Sequence, residues 1–253
     1  MAATTNHESL HGRTVVITRP AGTASAMAQQ VRARGGEPLL LPGLALRAVI
    51  DAAAARTDLC AALADDVMIF ASPAAVRFAA RLAPLRTTAV VLALGEGTAK
   101  VLWRHRIEAQ TPLRQDSEGV LAHPLLRDVR GRRVALIGAP GGRGMLLEQL
   151  ALRHALLREV HVYRRVAPRL DRRHAEALLR LPTSALILLS SIEALQNLTQ
   201  QLPVPALETL RATTAVVSSE RLAMAARAAG FTRIVQAASA LTAHLLDAAS
   251  RAD

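Results

Sequence analysis

Cysteine occurs once, at Cys60, so the chain can build neither a disulfide framework nor a thiolate metal cluster, and a single thiol suits a reducing compartment. Aromatic residues are almost as scarce. Phe70, Phe78, Trp103, Tyr163 and Phe231 make up the whole set, too few to form a stacking platform for single-stranded nucleic acid. Lysine is confined to Lys100. The formal charge of +11 therefore rests on arginine in an arginine- and alanine-rich composition, which reads chiefly as solvated surface. No apolar run approaches the roughly 20 residues of a membrane span. The opening "MAATTNHESLHGR" lacks the apolar segment of a secretory signal and is expected to be a loose tail. These absences point to a cytoplasmic protein with no membrane and no nucleic acid as partner, and a monomer is expected.

Several chemistries are missing as well. Lys100 sits in no G-x-x-x-x-G-K-[ST] setting, which excludes a P-loop, and "GAPGGRG" from Gly138 has Pro140 where a dinucleotide fingerprint needs its second glycine. His7 and His11 have helical spacing but lie in the tail, and the other histidines are scattered, so no metal site is expected. No G-x-S-x-G elbow is present.

What remains is a chain of 253 residues, 51% hydrophobic, in which short apolar runs alternate with longer amphipathic segments. That alternation predicts an α/β fold with parallel sheets covered by helices. Candidate strands are 13–18, "EPLLLP", 66–71, "AVVLAL", 132–137, 184–189, "TAVVS" and 233–237. The chain also repeats itself. "GRTVVITRPAG" at Gly12 resembles "GRRVALIGAPGG" at Gly131, and "DDVMIFASPAAV" at Asp65 resembles "TSALILLSSIEAL" at Thr183. "TTAVVLALGEGT" at Thr87 resembles "TTAVVSSERLA" at Thr213, and "SEGVLAHPLL" at Ser117 resembles "SALTAHLLDA" at Ser239. Four matches in one order, about 120 residues apart, predict two similar parallel-sheet units of flavodoxin-like or Rossmann-like kind.

Two segments fit neither unit: "PGLALRAVI" (42–50) and "REVHVYRRVAP" (158–168), both alternating as half-exposed strands do. Paired antiparallel, they would form a two-stranded hinge ladder, residues 44–50 with 160–166. The ladder would join an outer domain of residues 1–43 plus 167–253 to an inserted domain of 51–159, with the site in the interdomain cleft and Tyr163 facing it.

In open parallel sheets ligands bind beyond the carboxyl ends of the strands, where helix N-termini offer free N–H groups. Thr18, Arg19, Ser72, Gly95, Thr98, Gly141, Gly142, Arg143, Ser190, Ser191, Ser218 and Ser219 fall at such ends. Each hydroxyl could equally be a helix N-cap, worth about 1 kcal/mol. Together they describe edges suited to an acidic ligand, with Arg19 and Arg143 as the carboxylate contacts, since guanidinium groups bind carboxylates bidentately.

The ordered series "TRP", "P-x-L-x-L", "IFASPAAV", "LGEGTA", "SEGVL", "GGRGMLLEQL", "VHVYRRVAP" and "SSERLAMAARAAGF" resembles the uroporphyrinogen-III synthase family, over almost the whole chain from Arg13 to about Ala249. The resemblance implies two α/β domains on a two-stranded ladder and a cofactor-free, metal-free reaction. Hydroxymethylbilane, a linear tetrapyrrole with eight carboxylates, loses water and closes with its last ring inverted. It also implies that Tyr163, in "VHVY", assists departure of the hydroxyl, and that the Gly95–Thr98 turn faces substrate carboxylates. Where many members have a functional threonine after a Gly-Pro turn, this chain has Ser218, Ser219 and Arg221. Two other readings stay open: a non-enzymatic two-domain binder of a small acidic ligand, and a nucleic-acid partner drawn by the basic charge.

Overall fold

A computed structural model describes residues 9–141 and 144–252. In chain order the elements begin β1 (Thr14–Ile17), α1 (Ser25–Ala33), β2 (Glu37–Leu40), β3 (Ala45–Ala48) and α2 (Ala52–Ala62). They continue with β4 (Val67–Phe70), α3 (Pro73–Leu82), β5 (Val90–Ala93), α4 (Glu96–Arg104), α5 (Ser117–Ala122), β6 (Arg133–Gly138), α6 (Gly144–Leu152), β7 (Leu156–His161) and β8 (Tyr163–Val166). The remainder is α7 (Arg172–Leu179), β9 (Leu186–Leu189), α8 (Ile192–Gln201), α9 (Val204–Arg211), β10 (Thr214–Val217), α10 (Glu220–Ala228), β11 (Arg233–Gln236) and α11 (Thr242–Ser250).

Two compact units result, Met1–Leu46 with Val166–Asp253, and Arg47–Arg165. The first holds a five-stranded sheet in the order β11-β10-β9-β1-β2, parallel throughout. Its central strands are buried on both faces, which is why they read as unbroken apolar runs. The period of two survives inside them. Val15 and Ile17 pack with Met27, Val31, Leu245 and Leu246 of α1 and α11. Val16 points the other way, into the cluster of Leu195, Leu198, Leu207 and Phe231.

The second unit holds a parallel sheet in the order β5-β4-β6-β7. Val67, Ile69, Leu92, Val134 and Leu136 pack with Val120, Leu146 and Leu150 of α5 and α6. Beyond β5 a single parallel bridge, Leu92 to Gln110, marks a rudimentary fifth strand.

With that bridge counted, the two sheets match strand for strand. β10-β9-β1-β2 corresponds in order to β5-β4-β6-β7, and β11 takes the place of the residue 110 bridge. These are the pairs that the repeats at Gly12/Gly131, Asp65/Thr183 and Thr87/Thr213 put together, so the halves are one sheet plan in two circular permutations. Local details repeat too. Gly12 N–H donates to Gly35 O at 2.8 Å, and Gly131 N–H donates to His154 O at 2.9 Å. Gly12 and Gly131 have φ of +74° and +69°, a conformation that costs glycine little.

The ladder is the two-stranded antiparallel sheet of β3 and β8. The segment expected to be one ladder strand, 158–168, is two. Its first half belongs to β7, a parallel edge strand on β6, and the chain leaves that sheet at Val162, whose N–H still donates to Gly138 O at 3.0 Å. An edge strand with one wet face alternates as a ladder strand does, so pattern alone could not divide them.

Candidate functional site

In the unit of residues 47–165 the strand order turns about β4 and β6, the place where open α/β sheets bind ligands. Ser72 follows β4 and is the N-cap of α3, its Oγ accepting from Ala75 N–H at 3.1 Å. The same Oγ lies 3.3 Å from the phenol oxygen of Tyr163, the first residue of β8. The Tyr163 ring stacks on Phe78 of α3 at a centroid distance of 5.3 Å and an interplanar angle of 20°. Arg81 in turn stands 5.3 Å from the Phe78 ring centre. Tyr163 is 8% exposed. One helix thus supports it twice, through its ring and through its hydroxyl.

Along the same rim Gly95 is the N-cap of α4, and the space before it is filled from within the chain. Gln115 Oε1 accepts from Glu96 N–H at 3.3 Å, and Thr111 donates to the Glu96 carboxylate at 2.9 Å. Thr98 is only 3% exposed and faces into its unit. At the end of β6, Gly138 is so close to the residue after β4 that a β-carbon on it would come 3.3 Å from Ala71 Cβ. Ala71, Gly138, Ala139, Gly141 and His161 line a hollow there. Arg165 reaches the same loop, donating to Pro140 O at 2.9 Å and to Gly141 O. Gly142 and Arg143, expected on this loop, lie outside the described residues.

The rim of the other unit carries Thr18, Arg19, Ser190, Ser191, Ser218 and Ser219. Thr18 is buried and donates to Leu188 O at 2.7 Å, so its hydroxyl joins β1 to β9. Ser191 and Ser219 are the N-caps of α8 and α10, with Oγ to amide distances of 3.2 Å and 3.4 Å. Ser190 is exposed and Ser218 half-buried. Arg19 is the charged member of this edge. One terminal nitrogen donates to Thr242 Oγ1 at 3.2 Å and to Ala240 O at 3.5 Å, while its Nε is buried with no partner among the described residues. Burial pushes the guanidinium pKa below its usual value.

The hydroxyls thus divide. Ser72, Ser191 and Ser219 cap helices, and Ser72 alone among them also meets the tyrosine. Phe78 and Gln115 were not foreseen. Phe78 is one of five aromatic residues, which is the signal that could have drawn attention to it; Gln115 left no mark in the sequence. Among the described residues no cluster of His, Cys, Asp and Glu could hold a metal ion. No described helix is long and apolar enough to cross a membrane.

Comparison with known proteins adds a second line. The profile of the family described as uroporphyrinogen-III synthase HemD matches residues 25–247. A uroporphyrinogen-III synthase of Salmonella typhimurium is 32% identical over 240 residues, covering 86% of this chain and 92% of that protein. Among solved structures, a mutant uroporphyrinogen III synthase of Thermus thermophilus aligns with a TM-score of 0.56 at 21% identity, over 92% of this chain and 96% of its own. The synthetase of Helicobacter pylori aligns at 0.59 and 18% identity, with the same coverage. At these identities the two structures bear on the fold.

Proposed function

The chain belongs to the uroporphyrinogen-III synthase family and has that family's cyclising hydro-lyase activity on a tetrapyrrole, and from this premise we propose that Tyr163 is its proton donor and Arg19 a carboxylate contact. The substrate in this reading is hydroxymethylbilane. The Tyr163 proton passes to the terminal hydroxyl, the C–O bond breaks with its electron pair on oxygen, and water leaves behind an azafulvenium cation. The last ring then attacks, through a spiro arrangement that inverts it.

The enzyme's task is to steer. Hydroxymethylbilane closes unaided to the uninverted isomer, so the protein must lower the inverting route beneath a reaction that already proceeds. Each tenfold in isomer ratio needs about 1.4 kcal/mol of differential transition-state stabilisation. Holding the reacting ends close and anchoring the side-chain carboxylates can supply a few such steps. A phenol is a weak acid, so its help is expected to be on the order of ten- to a hundredfold.

The observation that carries the reading is the phenol of Tyr163 at the carboxyl end of β4, held on α3 by Ser72 and Phe78. The buried Nε of Arg19, which has no partner among the described residues, supports the second assignment, because it leaves a donor free for a substrate carboxylate. The experiment is incubation with hydroxymethylbilane followed by chromatographic separation of the two uroporphyrinogen isomers. Excess of the inverted isomer over the buffer control is expected, with kcat for Tyr163→Phe lowered ten- to a hundredfold. A Tyr163→Phe variant at the wild-type rate would remove the phenol from the chemistry.

A further inference from the structure

Ser72 has one hydroxyl proton and two neighbours. Its oxygen already accepts from Ala75 N–H at 3.1 Å, and the phenol oxygen of Tyr163 lies 3.3 Å away. Ser72 can therefore satisfy α3 as an acceptor while its own proton goes to the phenol oxygen. We propose that Ser72 is a positioning residue for the reaction: it donates to the Tyr163 oxygen, so that the tyrosine proton is turned outward for the leaving hydroxyl and the phenolate formed is held from behind.

The steps balance on named atoms. Before reaction the series runs from Ala75 N–H to Ser72 Oγ, and from Ser72 O–H to the Tyr163 oxygen, leaving one O–H on Tyr163 to give away. That proton goes to the substrate hydroxyl, and the C–O bond breaks to release water. The charge left on Tyr163 then accepts from Ser72 in a charge-assisted hydrogen bond, shorter and stronger than the neutral one before it. The proton lost by the substrate on ring closure restores the phenol. Because Ser72 also caps α3, the positive end of that helix lies behind the same oxygen. Stacking on Phe78 holds the phenol oxygen within reach of this one donor. Among the described residues no other hydroxyl or amide hydrogen-bonds to the phenol oxygen, so the donor role falls to Ser72 alone.

This inference rests on the proton-donor reading of Tyr163, and its test separates the two. Ser72→Ala is expected to lower kcat about tenfold with KM nearly unchanged, and Ser72→Thr, which keeps both hydroxyl and cap, to restore most of the rate. Ser72→Asp is the decisive variant. A carboxylate still caps α3 but has no proton to donate, so thermal stability should hold while kcat falls at least as far as in Ser72→Ala. In a Tyr163→Phe background Ser72→Ala should change kcat less than about twofold, because the pair acts as a unit. A Ser72→Ala loss of the same size in both backgrounds, or full activity in Ser72→Asp, would overturn the assignment while leaving Tyr163 as donor. Wild-type kcat in Tyr163→Phe would instead overturn the donor reading and this inference with it.

Discussion

Gln115 occupies the space in front of Gly95: a β-carbon on Gly95 would lie 2.5 Å from Gln115 Oε1 and 3.1 Å from Gln115 Cδ. The Gly-rich turn that resembles a ligand cradle is thus closed in part by an amide oxygen from the chain itself, bonded to Glu96 N–H as an anion would be.

Gly95→Ala should therefore push the Gln115 side chain away. Backbone conformation sets no barrier, since φ at Gly95 is −170°. The expected cost is that of a small overpacking, about 1–2 kcal/mol in urea unfolding. Gln115→Ala in the same chain should recover most of it. Strict additivity of the two substitutions would show that the contact is not what makes the glycine necessary.

Arg19→Met separates binding from stability. Removing a guanidinium whose pKa is depressed by desolvation relieves a cost that folding bears at every pH below the ordinary arginine value, so the melting temperature should not fall. KM for hydroxymethylbilane should rise about tenfold as a charge-assisted carboxylate contact is lost. A variant with unchanged KM would take Arg19 out of the site.

Arg158 carries a structural prediction. Its Nε is 2.8 Å from Oδ2 of Asp65, a carboxylate 1% exposed, while Arg133 stands farther off at 3.8 Å. The hydrogen bond to Asp65 raises the Arg158 pKa above its usual value. A raised cation contributes its stability fully below the unfolded pKa and loses it only at extreme alkalinity. The destabilisation in Arg158→Ala, about 1–2 kcal/mol because Arg158 is partly open to solvent, should therefore be flat between about pH 6 and 9. A steep fall across that range would refute the pairing.

Asp171 behaves in the opposite sense. It caps α7, accepting from His174 N–H at 3.2 Å, and that hydrogen bond is the first cause of its lowered pKa, followed by the His174 side chain. A depressed carboxylate contributes stability that is present above its unfolded value, near 3.9, and is lost as pH falls through the folded one. The melting temperature of Asp171→Ala should lie below wild type at neutral pH and meet it in strong acid. Parallel curves down to the lowest pH would contradict the cap.

Much of this was legible because parallel sheets speak plainly. A strand covered on both faces has to be apolar throughout, and the helix after it has to present one apolar face, so "VVI", "VMIF" and "LILL" announced themselves. The repeat was legible for the same reason. The division of 158–168 into β7 and β8 was not, because edge strands and ladder strands have the same exposure. Nor were the roles of the rim hydroxyls, since a serine before a helix reads alike whether or not a phenol lies 3.3 Å from it.

The sequence by itself determined the layered α/β plan, its duplication and the lack of any intrachain disulfide, because burial periodicity and composition can be read along the chain. Only the tertiary structure decided that Ser72 meets Tyr163 across 91 residues, that Gln115 covers Gly95, and that a nitrogen of Arg19 has no partner among the described residues. Those relationships depend on which helix end lands beside which strand end, and that is set by packing summed over a whole unit, not by any local stretch.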